Sequence, residues 1–365
     1  MIPISSPSLG PLEREYLLDA FDSTWISSLG KYIDRAESSL TNLSKSKFCA
    51  VASSGTTSLH LAILALDLHP GDEVIMPSLS YVATMNAVMY VGATPVLVDV
   101  DPNTWCVSPE SVAGAITSKT RAIIAVDLYG NPADYTALRA IAAAHSLYLV
   151  ADAAESIGAS VAGQPVGSLA DITTFSFFGN KTITSGEGGA VLTSNADLDS
   201  RIRQLRNQGN HRETRYFHDI LGYNYRMTNL SAAILCAQIE RLPELSAQRS
   251  RVLGWYSERL DSADRIITQV ASPASVQSPW MFTVLVEGYQ QEQRDDLIES
   301  MKSGGVETRP MFKPMQTMPY FKAVVDSPTA VTNRLAGSGI SLPTFAELTE
   351  QEVDKICSLL LGSLD

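Results

Sequence analysis

Residues 121–155, RAIIAVDLYGNPADYTALRAIAAAHSLYLVADAAE, contain the pattern that decides the fold. An apolar run at 121–130 is followed by a helix-like segment at 133–146 and by a second apolar run at 147–155. Short apolar runs on both sides of a helical segment are typical of a βαβ unit, whose two strands lie parallel in one sheet. This stretch therefore predicts an α/β domain.

The same alternation extends from about residue 48 to residue 195, which predicts a mainly parallel sheet covered by helices. We expect further strands at 72–77, 94–100, 171–178 and 189–194. We expect helices at 58–68, 84–92 and 108–116, the last with Ser108 as its N-cap.

The character of the chain changes near residue 230. Residues 230–260 are long, amphipathic and helical, and Pro243 should kink or split this helix. Strands are predicted at 280–288 and 306–312, with a helix at 291–305 between them. We therefore predict a large domain at 1–248 and a smaller α+β domain at 249–365.

Composition excludes several classes of protein. The chain has 365 residues, 45% of them hydrophobic, and a net charge of −12, which repels nucleic acid and anionic lipid. No run approaches the ~20 apolar residues of a membrane helix, and the N-terminus does not resemble a signal peptide. Four scattered cysteines favour reduced thiols over a disulfide or metal site. We expect a soluble cytoplasmic protein without a metal, membrane or nucleic-acid partner.

Two segments place polar groups at the ends of predicted strands, where parallel sheets bind ligands. SSGTTSLHLA (53–62) leads small and hydroxylated residues into a helix, so Gly55, Thr56 and Thr57 could bind a phosphate, although a capped helix start gives the same pattern. YLVADAAES (148–156) brings Asp152 to a dry strand end, where it requires a cationic partner or caps the next turn.

Two further segments add a candidate nucleophile and candidate anion ligands. SFFGNKTITSGEGGA (176–190) holds Lys181 among glycines and small residues. An uncharged lysine in such a loop can form a Schiff base, while the alternative is a surface lysine in a hairpin. In HDILGYNYRMTNLSAA (218–233), Asn224 and Arg226 could reach an anion, or the segment is a solvated loop.

The order of these segments indicates pyridoxal phosphate (PLP) chemistry. A helix N-terminus can bind the phosphate, Asp152 can keep the ring nitrogen protonated, and Lys181 can form the Schiff base. Tyr81, just after the strand that ends near Met76, is available to stack on the ring.

At these residues the chain resembles the DegT/DnrJ/EryC1/StrS family of sugar aminotransferases, which have the aspartate aminotransferase fold (PLP fold type I). The resemblance covers nearly the whole chain, through the segments WISSLGKYI (25–33), SSGTTSLHLA (53–62), GDEVIMPSLSYVATMNAV (71–88), LYGNP (128–132), DAAE (152–155), SFFGNKTITSGEGG (176–189), GYNYRMTN (222–229) and TRPMF (308–312).

The resemblance implies a role for individual residues. Lys181 and Asp152 would be catalytic, the latter on the pyridine nitrogen, and Glu155 would lie near the ring hydroxyl. The remaining cofactor residues would be Gly55, Thr56, Thr57, Tyr81, Ser176 and Asn224, with Asn224 reaching the phosphate of the neighbouring subunit in a homodimer. The substrate residues would be Ser27, Tyr225, Arg226 and Arg309.

The resemblance also implies a reaction. FFGNKTIT and HDILGYNYRMTN are most similar to members that aminate C4 of GDP-4-keto-6-deoxymannose with L-glutamate as donor. Two positions depart from many members, which have His where this chain has Asp127 and Gln316. Both positions are expected on the sugar side, so they bear on the choice of nucleotide-sugar.

Other functions share some of these features. A PLP-dependent 3-dehydratase would have His in place of Lys181, a regulator would need a DNA-binding segment, and a nicotinamide enzyme would need GxGxxG after a strand. An aminotransferase for a dTDP- or UDP-keto-sugar, a cyclitol or an amino acid would keep the same cofactor residues.

Overall fold

The computed structural model describes residues 1–211, 213–322 and 329–364. Strands in these ranges are β1 (Phe48–Ala52), β2 (Glu73–Pro77), β3 (Thr94–Val98), β4 (Thr120–Val126), β5 (Tyr148–Asp152), β6 (Ser160–Val161), β7 (Gln164–Pro165), β8 (Ile172–Ser176), β9 (Gly189–Thr193), β10 (Ile266–Thr268), β11 (Ser275–Val276), β12 (Phe282–Val286), β13 (Arg309–Pro310) and β14 (Gly339–Leu342).

Helices in the same ranges are α1 (Pro11–Asp22), α2 (Lys31–Ser44), α3 (Gly55–Ala65), α4 (Ala83–Tyr90), α5 (Pro109–Gly114), α6 (Tyr135–His145), α7 (Ala196–Arg206), α8 (Asn229–Leu260), α9 (Gln291–Ser303), α10 (Ala330–Ser338) and α11 (Glu350–Gly362). Within the described part of the chain, no helix combines the length and the apolar character needed to cross a membrane.

The central sheet has seven strands in the order β1-β9-β8-β5-β4-β2-β3. The pairs β5–β8, β4–β5, β2–β4 and β2–β3 are parallel, while β9 runs antiparallel to both β1 and β8. Helices cover the sheet, so its strands are nearly continuous apolar runs, as in β2, where all five residues are buried. The predicted α/β fold with a mainly parallel sheet is confirmed.

The helix α8 runs unbroken through Pro243. Its N-cap is Thr228, whose hydroxyl accepts a hydrogen bond from the amide of Ser231. Of the two predicted effects of Pro243, a kink or a split, the split is wrong, because buried side chains before and after the proline pack both halves of the helix into the protein.

A second sheet, in the order β10-β12-β14-β13, lies beyond α8 in the sequence. All its pairings are antiparallel, and Val252, Tyr256 and Leu260 at the end of α8 belong to its apolar core. Ile2 joins the same core and bridges Val306, so the first residues of the chain pack against its last third. The division at residue 248 falls within α8 and remains a prediction.

Candidate active site

A cavity of about 390 Å³ opens where the first turn of α3 meets the carboxyl ends of β5 and β8. Its wall includes these predicted residues: Gly55, Thr56, Tyr81, Asp152, Glu155, Ser176, Lys181 and Arg309. Parallel α/β sheets bind ligands at this edge because strand ends and helix N-termini meet there. The fold thus brings these residues together from five separate parts of the sequence.

The N-terminus of α3 is shaped by its cap. The Ser54 hydroxyl accepts a bond from the Thr57 amide, and the Thr57 hydroxyl accepts one from the Ser54 amide at 3.0 Å. Gly55 and Thr56 occupy the next positions, where an amide has no acceptor within its own helix and an anion can bind. Thr57 does not line the cavity, and its hydroxyl takes part in the cap. The capped helix start is therefore present, and phosphate binding at Gly55 and Thr56 remains a prediction.

Gly55 and Ser176 approach each other closely across the cavity floor. A Cβ atom on Gly55 would lie 2.7 Å from the Ser176 Cβ and 2.9 Å from its hydroxyl oxygen. Only glycine therefore lets the first turn of α3 approach the end of β8. The free amides and the serine hydroxyl form a small polar cradle of the kind that a phosphate requires.

Asp152 is the last residue of β5, with a side chain that is 5% exposed. Its Oδ2 atom accepts a 2.7 Å hydrogen bond from the Thr84 hydroxyl, and Oδ1 accepts a 3.3 Å bond from the Ala154 amide. Burial raises the pKa of Asp152, and the Thr84 hydrogen bond opposes that rise. A cationic ligand group beside this carboxylate would favour its ionised form.

Lys181 lies in the loop that joins the antiparallel strands β8 and β9, yet its side chain is only 13% exposed. Its Nζ atom is 3.5 Å from Glu155 Oε1. The other oxygen of Glu155 accepts a 2.7 Å bond from the Tyr129 amide. Burial raises the pKa of Glu155 to about 7, although Lys181 acts in the opposite direction. The lysine is therefore a mostly buried amine with a carboxyl partner, and the surface-hairpin alternative is wrong.

The cavity wall also contains Trp280 and Phe312, to which the sequence assigned no role. Trp280 lies beneath Lys181, with the Nζ atom 4.0 Å from the centroid of the indole ring. Its ring stacks on Tyr129, which in turn stacks on Phe312. The only sequence signal for Trp280 was a large aromatic residue two positions before β12, which equally describes a core position.

Besides Thr57, four predicted residues do not line this cavity. Ser27 and Asn224 are exposed, and Arg226 donates to the Asn207 side chain and the Ser28 carbonyl. The Tyr225 hydroxyl lies 3.1 Å from His60 Nδ1, on a histidine of α3. Their ligand-binding roles remain predictions.

The expectation that Asp127 faces the sugar is wrong. Asp127 is fully buried, and its carboxylate accepts bonds from the Ala133 amide, the Tyr135 hydroxyl and the Ser156 hydroxyl. These donors fix the loops around the site and leave the carboxylate no contact with the cavity. Gln316 also lies outside the cavity wall and donates to Thr329 at 3.0 Å.

The site satisfies the chemical requirements of PLP. The Gly55–Ser176 cradle matches a phosphate, and the buried Asp152 carboxylate matches a protonated ring nitrogen. Lys181 supplies the amine for a Schiff base, and Tyr81 supplies an aromatic face at the rim. The fold and these side chains define a PLP-dependent aminotransferase of fold type I.

Comparison with protein families matches residues 7–361 to the DegT/DnrJ/EryC1/StrS aminotransferase family. The chain belongs to this family and is a PLP-dependent sugar aminotransferase. It is 41% identical over 360 residues to GDP-perosamine synthase of Caulobacter vibrioides. The alignment covers 98% of this chain and 97% of that protein. It is 39% identical to GDP-perosamine synthase of Escherichia coli O157:H7 over 356 residues, or 98% and 96% of the two chains.

A solved structure gives the same result at the level of the fold. Spr1654 of Streptococcus pneumoniae is a sugar aminotransferase by name. Its structure in the pyridoxamine-phosphate (PMP) form superposes on this chain with a TM-score of 0.94. The two chains are 26% identical, and the match covers 100% of this chain and 99% of that one.

Proposed function

We propose that this aminotransferase moves the amino group of L-glutamate onto C4 of GDP-4-keto-6-deoxymannose and so forms GDP-perosamine. The observation that carries the proposal is the cavity that unites Lys181, Asp152 and the Gly55–Ser176 cradle. Relatives named GDP-perosamine synthase, 39% and 41% identical along nearly the whole chain, support the choice of sugar.

PLP, when bound, withdraws electrons from the carbon that bears the amino group and carries that group between the two substrates. The amides of Gly55 and Thr56 and the Ser176 hydroxyl would hold the phosphate, while Thr57 would act by maintaining the helix cap. Asp152 would hold the ring nitrogen in its protonated state. Lys181 would accept the Cα proton of the donor substrate at Nζ and would hold it for transfer to the cofactor.

Arg309 would bind an anionic part of the substrate. Its half-exposed guanidinium lines the cavity and lies 3.4 Å from Glu307. Because the chain has a net charge of −12, the anionic nucleoside diphosphate part of the substrate needs such a local cation to bind at this rim.

The active unit would be a homodimer with shared sites. Ser27, Asn224, Tyr225 and Arg226 do not line the cavity of their own chain, which supports a role toward a neighbouring subunit. Trp25 and Ile26, beside Ser27, are exposed by 57% and 48%, an apolar surface that a second copy would cover. The four free buried cysteines support a cytoplasmic location.

The sugar is tested with enzyme loaded with pyridoxamine phosphate. We expect GDP-4-keto-6-deoxymannose to restore the absorbance of the aldehyde form of the cofactor and to yield one new GDP-amino sugar by mass spectrometry. The dTDP- and UDP-linked keto-sugars are the comparison substrates. No response to the GDP sugar, in enzyme that glutamate does convert, would refute this choice of substrate. Near-normal turnover by Lys181→Ala would refute the role of Lys181.

Shared sites are tested by mixing two inactive variants, Lys181→Ala and Asn224→Ala. If Asn224 serves the neighbouring site, each mixed dimer contains one intact site. Random exchange of subunits should then restore about a quarter of wild-type activity. Continued inactivity of the mixture, after mass spectrometry has shown that mixed dimers form, would refute the shared site.

A further inference from the structure

The ammonium group of Lys181 lies between an aromatic face and a carboxyl group. Its Nζ atom is 4.0 Å from the centroid of the Trp280 ring and 3.5 Å from Glu155 Oε1. A cation over the face of an indole is attracted by the ring quadrupole, and the attraction is stronger where water is excluded. Trp280 is 3% exposed, so this contact is almost dry.

The indole is held firmly in this orientation. Its Nε1 atom donates a 2.8 Å hydrogen bond to the carbonyl of Asn180, the residue directly before Lys181. The ring also stacks on Tyr129 with an interplanar angle of 18° and 6.0 Å between centroids. The same tyrosine donates its amide to Glu155, so the ring and the carboxyl group share one support.

A buried arginine joins the backbones of the two residues. Arg249 of α8 donates to the Trp280 carbonyl at 3.0 Å and to the Lys181 carbonyl at 3.4 Å. It also donates to the Thr344 carbonyl at 3.0 Å. Main chain and side chain of Trp280 are therefore both tied to the loop that carries Lys181.

We propose that Trp280 is a positioning residue for Lys181, which holds the Nζ atom beside Glu155 whenever this amine is not bonded to the cofactor. Lys181 would then occupy one rotamer, close to the place where it accepts the substrate proton and passes it on. Its side chain would lose less conformational entropy at each step. The inference rests on the role proposed above for Lys181 and adds the residue that orients it.

The structural part of the test uses the full-length enzyme in its pyridoxamine-phosphate form, in which Lys181 is free, and the kinetic part starts from the PLP form. Trp280→Phe keeps an aromatic face and loses the N–H group, while Trp280→Leu removes both. Trp255→Leu is the matched control, because Trp255 also has a cation over its ring, Arg251, but lies outside the cavity.

Crystal structures of these variants provide a readout that does not depend on activity. We expect the Lys181 Nζ atom to stay beside Glu155 in Trp280→Phe and Trp255→Leu, and to leave it in Trp280→Leu. A Lys181 side chain that keeps its position in Trp280→Leu would overturn the proposal.

Stopped-flow measurement of the glutamate half-reaction provides the second readout. The rate constant should fall about 2- to 30-fold in Trp280→Leu, the range expected for loss of a cation–π contact. The glutamate concentration at half-maximal rate should change less than about twofold, because Trp280 acts on Lys181 and not on the substrate. Trp280→Phe should recover most of the rate.

The outcomes separate this inference from the proposed function. Wild-type enzyme that glutamate leaves unchanged would contradict the function itself. An active wild type with an equally fast Trp280→Leu variant would contradict only the positioning role. If Trp280→Leu does not fold, Trp280→Phe decides, since a Phe variant with a displaced lysine or a rate reduced by 30-fold would exclude the ring face as the holding group.

Discussion

Gly55→Ala should weaken PLP binding, and the structure shows by roughly how much. The new Cβ would lie 2.7 Å from the Ser176 Cβ and 2.9 Å from its Oγ, which is closer than carbon and oxygen atoms can remain. Overpacking of this kind costs about 1–3 kcal/mol. Alanine gains at most about 1 kcal/mol over glycine in a helix. A mid-range cost of about 2 kcal/mol exceeds the helical gain by about 1 kcal/mol, and the upper end of the range exceeds it by about 2 kcal/mol.

The protein can relieve the clash by moving α3 away from the end of β8, which would open the phosphate cradle. PLP binding would then have to restore the cradle, and the free-energy cost of the clash would be subtracted from the free energy of binding. We expect the dissociation constant for PLP, measured by quenching of protein fluorescence, to rise about 5- to 30-fold. The Ser176→Gly background provides the control, because the nearest remaining Ser176 atom, Cα, lies at an acceptable 3.4 Å.

In that background Gly55→Ala should change PLP affinity far less than it does in the wild type. A double-mutant cycle measures this difference as a coupling free energy. The reasoning is refuted if Gly55→Ala binds PLP as tightly as the wild type. It is also refuted if the loss is equal in both backgrounds.

Three further changes follow from the contacts around the site. Thr84→Val removes the donor to ionised Asp152 and should weaken PLP binding about 10- to 150-fold in the same titration, whereas a structural role alone would leave affinity unchanged. Burial raises the pKa of Asp127 from 3.8 to about 7, so the folded chain keeps a proton that the unfolded chain loses, and stability falls as pH rises through this window. The free energy of unfolding, measured in urea, should fall less between pH 4 and 7 for Asp127→Asn than for the wild type, by up to about 4 kcal/mol. Parallel plots of this free energy against pH for the two proteins would contradict the prediction. Gln238→Leu leaves the Thr184 amide without its acceptor and should lower the free energy of unfolding by about 2 kcal/mol, with an unchanged urea midpoint as the contrary result.

The central sheet and the strand-end residues of the cavity could be predicted because both follow from local patterns. Apolar runs marked the parallel strands, and polar residues at the ends of those runs were bound to meet at one edge. Asp152, Ser176 and the first turn of α3 came together for that reason. Ser108 is the N-cap of α5, as the sequence suggested, because a cap depends on neighbours three residues away.

The remaining features depend on contacts between distant parts of the chain. The cation–π contact joins Lys181 to a residue about a hundred positions away, and no local pattern marks such a pair. Asp127 follows a strand end just as Asp152 occupies one. Its carboxylate, however, already accepts hydrogen bonds from three donors, the Ala133 amide and the Tyr135 and Ser156 hydroxyls. The helices α1 and α2 were missed, since residues 11–44 lie before the alternating region that guided the prediction.

Because α8 runs unbroken through Pro243, the number of residues along this helix determines where Arg249 lies relative to the active site. A helix advances 1.5 Å and turns about 100° with each residue. One residue inserted between Thr228 and Arg249 would therefore swing the guanidinium to another side of the helix axis, away from the Lys181 and Trp280 carbonyls. An insertion of seven residues would restore the angle but displace it by about 10 Å. Chimaeras of related enzymes joined within α8 must consequently preserve its residue count, even where their sequences differ at every exposed position.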